Sequence, residues 1–305
     1  MSINIEQFQK TWTYRTTASV RGLRKAIRQI VEFERFHEAE KNRGTRVAYI
    51  GLIFIIFGFI IIGSTGSVAD LPIASFLMPF GVSLAILGLG TMIWGSFHWV
   101  GHSIFDLSPR RYRYESLQNL LEIWQKDLKL SHKLKVSLDL QKQDDKSKFQ
   151  KQEPYPNHKD GKIDVYRDEW LKAKGQFLDE TKFFLQVTER YQVRSWTNAN
   201  GRNRVRPVSK GFEIILKLNY LPQRYPNLPR LADRAHSAIK LPATVELKRL
   251  KIADERLKIK VKVPPIPETD SLNSLLFQSI VLTFMSAYQV LNLARVANRQ
   301  RSRKY

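Results

Sequence analysis

The sequence contains no cysteine. This absence excludes disulfide bonds, thiolate metal centres, iron–sulfur clusters and cysteine nucleophiles. Lysine and arginine are also absent from residues 47–109, although the 305-residue chain has 50 of them and a net charge of +22. A very basic chain with such a gap indicates a segment that avoids water, because cations are expensive inside a bilayer.

Two long apolar runs lie within this gap, over residues 47–65 and 71–102. A helix of about 20 apolar residues crosses the hydrocarbon core of a bilayer. Neither run alternates polar and apolar residues as a membrane β-strand does, so helices are expected. The sequence therefore predicts an integral membrane protein with a two-helix transmembrane hairpin over residues 47–106.

Basic residues flank the hairpin on both sides. Arg43 and Arg46 precede it and Arg110, Arg111 and Arg113 follow it, whereas the connecting loop has no base. Because cytoplasmic flanks carry the excess of positive charge, we expect two membrane passes with both termini cytoplasmic. The net charge further predicts an anionic partner or surface, which is membrane lipid headgroups, nucleic acid or an acidic protein.

Five glycines recur at intervals of seven within the two runs. A seven-residue repeat keeps small residues on one seam of a helix pair, where they allow close backbone approach. We expect this seam to pack the two helices against each other, or against identical helices in a homo-oligomer. The glycines are Gly51, Gly58, Gly81, Gly88 and Gly95.

The residues before the hairpin, 1–46, are predicted to form an N-terminal cytoplasmic amphipathic helix that ends at Gly44. Residues 107–305 are predicted to form a basic, β-rich cytoplasmic domain, because apolar and polar residues alternate in several stretches, most regularly over 257–263. Residues 141–162 are nearly devoid of apolar side chains and are expected to be mobile. The predicted fold class is therefore membrane α+β.

A C-terminal helix is predicted over residues 271–297. It is apolar enough to be a third membrane helix, but its polar residues lie mostly on one stripe. A third crossing would also move the basic C-terminal tail to the far side of the membrane, against the charge rule. A helix buried against the sheet or lying on the membrane surface is therefore preferred.

The best predicted binding surface is a hairpin around Asn200-Gly201, a pair typical of tight turns. Arginines and one tryptophan crowd one end of this two-stranded ribbon. Guanidinium groups bind phosphates and carboxylates in bidentate fashion, and tryptophan stacks on bases or anchors in headgroups. The predicted residues for an anionic partner are Arg190, Arg194, Trp196, Arg202, Arg204 and Arg206.

Alternating lysines occupy a second stretch, at positions 258, 260 and 262. They offer the same chemistry, but lysines on a sheet edge also oppose aggregation. They are therefore interpreted as an ordinary solvated face.

His98, His102 and Asp106 follow one another at intervals of four, so one helical face carries all three. Two histidines and a carboxylate are a weak candidate for a metal site. The preferred interpretation is that polar residues cluster where a helix leaves the membrane. The sequence has no phosphate loop, nucleophile elbow, dinucleotide fingerprint or HExxH motif, so neither a cofactor nor an enzymatic activity is predicted.

Two functions follow from these features. The first is a non-enzymatic membrane anchor or assembly scaffold that presents its basic cytoplasmic domain to a protein partner or to anionic headgroups. The alternative is a ligand-sensing membrane effector, whose β-domain binds a phosphate-bearing ligand or nucleic acid and whose hairpin oligomerises.

Overall fold

A computed structural model describes residues 3–65, 74–103, 105, 107–128, 132–156, 158, 160–265 and 271–302. About half of the chain is helical, and the remainder is dominated by one large antiparallel sheet. The chain divides into two compact units. Residues 28–109 form the helical unit, and residues 1–27 together with 110–305 form the β-unit.

Among the described residues, four long helices and two short ones make up the helical part. The helices are α1 (Ile5–Thr11), α2 (Val20–Thr65), α3 (Ala74–Ser103), α4 (Arg111–Asp127), α5 (Ala232–Ala235) and α6 (Ser271–Ser302).

The predicted N-terminal helix over 1–46 differs from the structure. Residues 13–18 form a strand, and the helix that begins at Val20 continues through Gly44 without a break. Glycine interrupts a helix only weakly, and a small residue is needed at this point for close packing.

Eight strands form a single antiparallel sheet in the order β1-β2-β4-β5-β6-β8-β7, with β3 paired to β4. The order is not sequential, because β8 lies between β6 and β7. The strands are β1 (Thr13–Ala18), β2 (Leu134–Asp139), β3 (Phe149–Pro154), β4 (Lys162–Gln176), β5 (Lys182–Thr197), β6 (Asn203–Asn219), β7 (Glu246–Ala253) and β8 (Arg256–Val263).

The prediction of a mobile segment over 141–162 is wrong for its central part. Lys146–Lys148 form a 3-10 turn, and β3 then pairs with the first half of β4. Its side chains are mostly polar and exposed, and Phe149 is itself 43% exposed, so the strand is held by backbone hydrogen bonds rather than by apolar burial. Apolar patterning therefore could not reveal it.

One face of the sheet is covered by helices of the β-unit. Its strands contribute a period-two set of buried apolar side chains, as in Ile214, Leu216 and Leu218 of β6. Helices α4 and α6 pack on this face, where Trp124 and Phe284 stack around Phe183 with ring centroids 5.0 and 5.6 Å from it. The opposite face of the sheet carries mainly polar and basic side chains.

A fully buried ion cluster lies beneath α4. One terminal nitrogen of Arg113 lies 2.6 Å from Asp168 Oδ2 and 3.3 Å from Glu189 Oε2, and the other donates to the Asp139 carbonyl oxygen at 3.1 Å. Tyr112 donates to the same Glu189 oxygen at 2.6 Å.

The protonation states in this cluster follow from burial and charge. Burial alone would lower the pKa of Arg113, but Tyr112, Asp168 and Glu189 raise it above its usual value, so the guanidinium stays charged. Burial raises the pKa of Glu189 and of Asp168. Removing one partner of such a buried pair typically costs about 3–5 kcal/mol, because the other charge is left uncompensated.

In the helical unit, the two long helices approach each other at the predicted glycines. A Cβ atom added to Gly51 would lie 2.5 Å from the Met92 backbone nitrogen, and one added to Gly88 would lie 2.6 Å from the Gly51 carbonyl oxygen. These distances are too short for any side chain. Gly58 with Gly81, and Gly95 with Ala48, meet in the same way.

Among the residues that the structure describes, three helices are long and apolar enough to cross a membrane: Val20–Thr65, Ser75–Ser103 and Ser274–Ala297. Their most apolar windows differ in burial. Those of the first two helices are 11% buried, whereas that of α6 is 50% buried because it packs on α4 and the sheet. The first two helices therefore expose long apolar surfaces, among them Phe59, Phe76 and Phe97.

The contact between the two helices can be tested at Gly88, with Gly90 as a matched control two residues away. Replacing Gly88 with alanine should destabilise the hairpin by about 1–3 kcal/mol, because the new methyl group meets backbone atoms of α2. A Cβ at Gly90 would meet nothing within 4 Å, so Gly90→Ala should leave stability unchanged. Unfolding in SDS, followed by far-UV circular dichroism, measures both, and equal losses in the two variants would contradict the seam.

Candidate anion-binding site

The exposed face of the sheet carries one continuous row of five lysines and one phenylalanine, which we call the lysine row. Each member is the direct cross-strand partner of the next, across β2, β4, β5, β6, β8 and β7. Because neighbouring strands lie about 4.8 Å apart, the row is about 24 Å long. Its members are Lys135, Lys174, Phe184, Lys217, Lys258 and Lys251.

A groove of about 990 Å³ follows the lysine row. Every member of the row lines it, together with Lys133, Lys182, Arg249 and Arg256. Among the described residues that line the groove, there is no aspartate or glutamate. A neighbouring cavity of about 510 Å³ extends the basic surface toward β1 with Arg15 and Lys172.

Phe184 is the aromatic residue within the row. The ammonium nitrogen of Lys174 lies 5.2 Å from its ring centroid, and that of Lys217 lies 5.1 Å away. Cations at this distance are attracted to the ring face. The half-buried ring therefore separates two charges in the row and gives the groove an apolar surface between them.

The row is electrostatically unfavourable in the free protein. Lys217 and Lys258 are direct cross-strand partners, and so are Lys258 and Lys251. Like charges in this position destabilise a sheet. Burial, together with nearby cations that include Lys217 and Arg249, holds the pKa of Lys258 below its usual value.

Other charges on the same face are compensated. Lys262 of β8 lies between Glu213 and Glu246 in the strand register. Glu213 also accepts Lys260 at 3.0 Å and Arg190 at 2.9 Å, and these two cations lower its pKa although burial alone would raise it. Within the described part of the chain, no carboxylate lies within ion-pair distance of the five lysines of the row. The five uncompensated lysines of the row all line the groove.

The structure brings together only part of the predicted arginine ribbon. Arg194 is the cross-strand partner of Arg206, and Trp196 that of Arg204. Arg190 is separated from them by an irregularity in the pairing and is bound to Glu213. Arg202 lies in the turn, where its backbone N–H donates to Asn198 Oδ1.

An aromatic group packs against this end of the ribbon. The guanidinium of Arg194 lies 5.5 Å from the ring centroid of Tyr155, and the Trp196 ring lies 5.7 Å from that of Tyr155. Arg194 and Trp196 are therefore partly engaged within the protein, whereas Arg202, Arg204 and Arg206 are exposed.

The predicted histidine face is only partly described. His98 and His102 lie on α3, and Asp106 lies outside the described residues. The carboxylate that approaches the histidines comes instead from Glu40 of α2. A carboxylate on the facing helix cannot be found from the spacing within one helix.

The lysine row was not predicted from the sequence. The alternation over 257–263 identified Lys258 as outward-facing, but it gave no sign that lysines of five strands align. That alignment depends on which residues of neighbouring strands lie opposite each other, and this strand register is known only from the structure.

No protein-family model matches the sequence, and neither a curated protein nor a solved structure matches it significantly. The functional argument therefore depends on the groove itself.

The unfavourable charge of the row can be measured as stability. Replacing Lys251 with threonine should raise the free energy of unfolding by about 0.2–1 kcal/mol, because its repulsive cross-strand contact with Lys258 is removed. Lys262→Thr, the same exchange beside two glutamates, should lower it. Chemical denaturation of both variants tests this expectation, and a loss of stability in Lys251→Thr would contradict it.

Proposed function

We propose that this protein is a non-enzymatic, membrane-anchored binding protein whose β-unit binds a phosphate-bearing ligand in the groove along the lysine row. The observation that carries this proposal is the uncompensated cross-strand alignment of five lysines around Phe184. Arrangements that oppose folding are expected at functional sites, and concentrated positive charge favours anion binding.

The membrane part of the proposal is supported by the helical unit. Residues 47–65 and α3 expose apolar side chains along their lengths and contain no lysine or arginine. The 30 residues of α3 extend about 45 Å, more than the hydrocarbon core requires. We propose that these two segments cross the membrane as a hairpin, with both termini on the cytoplasmic side.

We propose two crossings rather than three. Helix α6 is apolar enough to span a bilayer, but half of its most apolar window is already buried within the β-unit. Ser286 of α6 donates to the Lys240 carbonyl oxygen at 2.8 Å and accepts from the Lys240 N–H at 3.0 Å. Inserting α6 into lipid would require these contacts to break.

A nucleotide or a single-stranded nucleic acid is the ligand class that fits the groove best. Several phosphates can be bound in succession along a row of about 24 Å. A planar base can stack on Phe184 where it displaces one of the two ammonium groups that lie over the ring, and such stacking contributes about 1–3 kcal/mol per base. A concave surface of about 990 Å³ suits a ligand of this kind better than the flat surface of a membrane.

A protein partner is a second candidate, and the distal end of the arginine ribbon supports it. Val205 is 67% exposed between the exposed Arg204 and Arg206. An apolar side chain flanked by arginines is typical of a protein interface, where arginine is enriched. This surface would suit the scaffold role, with an acidic protein as the partner.

The ligand proposal is tested by binding of purified full-length protein to a fluorescent oligo-deoxythymidine, to ATP and to anionic phosphatidylserine vesicles. Lys258→Ala should weaken nucleic-acid or nucleotide binding about tenfold, because one charge-assisted hydrogen bond to phosphate is lost. Lys262→Ala, on the same strand and face, should bind as the wild type does.

The other outcomes are informative as well. If the wild type binds only the vesicles and Lys258→Ala does not, the ligand of the groove is a lipid headgroup rather than a nucleotide. If Lys258→Ala and Lys262→Ala bind the oligonucleotide equally well, the groove is not the binding site. Retention of an acidic protein that is lost only in Arg204→Glu would favour the scaffold role.

The lowered pKa of Lys258 gives a pH dependence. An anion binds the protonated lysine, so affinity should fall as the pH rises through the pKa of the free protein, which lies below the ordinary lysine value. Lys258→Arg stays charged and should shift this fall to higher pH. Titration of oligonucleotide affinity between neutral and strongly alkaline pH measures it. Superimposable wild-type and Lys258→Arg profiles would exclude Lys258 as a phosphate contact.

A further inference from the structure

Four metal-binding side chains meet within the helical unit, two from each of its long helices. His37 and Glu40 are three residues apart on α2, and His98 and His102 are four apart on α3. Each spacing places its pair on one side of its helix. The facing sides of the two helices therefore supply three imidazoles and one carboxylate.

The distances suit a common cation. Glu40 Oε2 lies 3.4 Å from His98 Nε2, and one ligand atom each from Glu40, His98 and His102 lie within 4.8 Å of one another. Zinc bonds of 2.0–2.1 Å at tetrahedral angles separate neighbouring ligand atoms by about 3.3 Å. The Glu40–His98 pair is already at this separation, and the ligand atom of His102 lies within 4.8 Å of both.

His37 lies directly behind His102. The two Nδ1 atoms are 2.8 Å apart, so one of them carries a proton and donates it to the other. When His102 Nδ1 is the donor, the Nε2 of its neutral ring is unprotonated and can bind a metal, while His37 Nδ1 accepts the hydrogen bond. Metal-binding histidines are regularly oriented in this way by a second residue. His37 is 9% exposed, which restricts its own movement.

The site is held at a point where the helix backbones touch. A Cβ added at Gly44 would lie 2.9 Å from the Gly95 carbonyl oxygen and 3.3 Å from His98 Nδ1. Gly44 and Gly95 each lie within four residues of a proposed ligand. The close approach that glycine permits therefore determines the distance between Glu40 on α2 and the two histidines on α3 before any metal is bound.

We infer that Glu40, His98 and His102 bind one divalent first-row transition cation, with His37 as a positioning residue. Two imidazoles and one carboxylate form the ligand set of open zinc and non-haem iron(II) sites, in which water or another ligand completes the coordination. Calcium and magnesium prefer sites made of oxygen ligands alone. The bound cation ties α2 to α3 far along the chain from their connection at residues 66–73, and so strengthens the hairpin. This inference does not depend on the proposed function.

The experiment uses full-length protein in detergent, purified without a polyhistidine tag and stripped with a chelator. Cobalt(II) is the spectroscopic probe and zinc is counted by mass spectrometry. The wild type should bind one ion per chain and show the visible absorption of cobalt bound to nitrogen and oxygen. Each of His98→Ala, His102→Ala and Glu40→Gln should lose at least tenfold in affinity. His236→Ala, an exposed histidine of the β-unit, is the control and should bind normally.

A second measurement separates loss of the site from loss of the fold. Zinc should raise the midpoint of hairpin unfolding in the wild type and in His236→Ala, but not in Glu40→Gln, whose helices should remain intact by circular dichroism. His37→Ala should keep one ion per chain with about 10–100-fold weaker affinity. Zinc retained by His98→Ala and His102→Ala at wild-type affinity, or no stoichiometric zinc in the wild type, would overturn the inference.

Discussion

The buried guanidinium of Arg113 is the interaction on which the β-unit depends. Its donors reach carboxylates of β4 and β5 and a carbonyl at the end of β2, so one side chain connects α4 to three strands. Only arginine offers donors in a planar fork that remains charged when buried. The apolar face of the sheet is closed around this group, with α4 and α6 above it. The lysine row lies on the other face of the sheet.

That other face explains how a fold can maintain a poorly tolerated charge arrangement. The apolar core lies on the covered side and includes the aromatic group around Phe183 and the period-two apolar residues of β6 and β8. The open side contributes little to folding, so lysines can align there without unfolding the sheet. The register of the antiparallel strands aligns one lysine from each of five strands, and these lysines form one row of charge.

Features that depend on local periodicity could be predicted from the sequence. The seven-residue spacing of the glycines identified the helix contact, because helical geometry alone decides which residues share a seam. The alternation over 257–263 likewise identified the faces of β8. Strands with few apolar side chains could not be predicted in this way, and β1, β3 and the polar first half of β4 were missed.

Features that depend on long-range pairing could not be predicted. Arg113 follows an apolar segment and was interpreted as a membrane flank, whereas its partner Asp168 comes 55 residues later in the chain. β8 pairs with β6 as well as with β7, so the partners of Lys217 and Lys251 cannot be found by following consecutive hairpins. The approach of Glu40 to His98 depends on the axial offset of two helices, which neither helix encodes alone.

The lysine row also determines what the groove contains before any ligand arrives. A line of uncompensated ammonium groups attracts small anions from solution, and an entering polyanion must displace them. Much of the driving force for binding is then the entropy of the released ions rather than the energy of new contacts. The groove behaves as an ion exchanger, whose selectivity for a multivalent ligand over a monovalent one is set by the ionic strength around it.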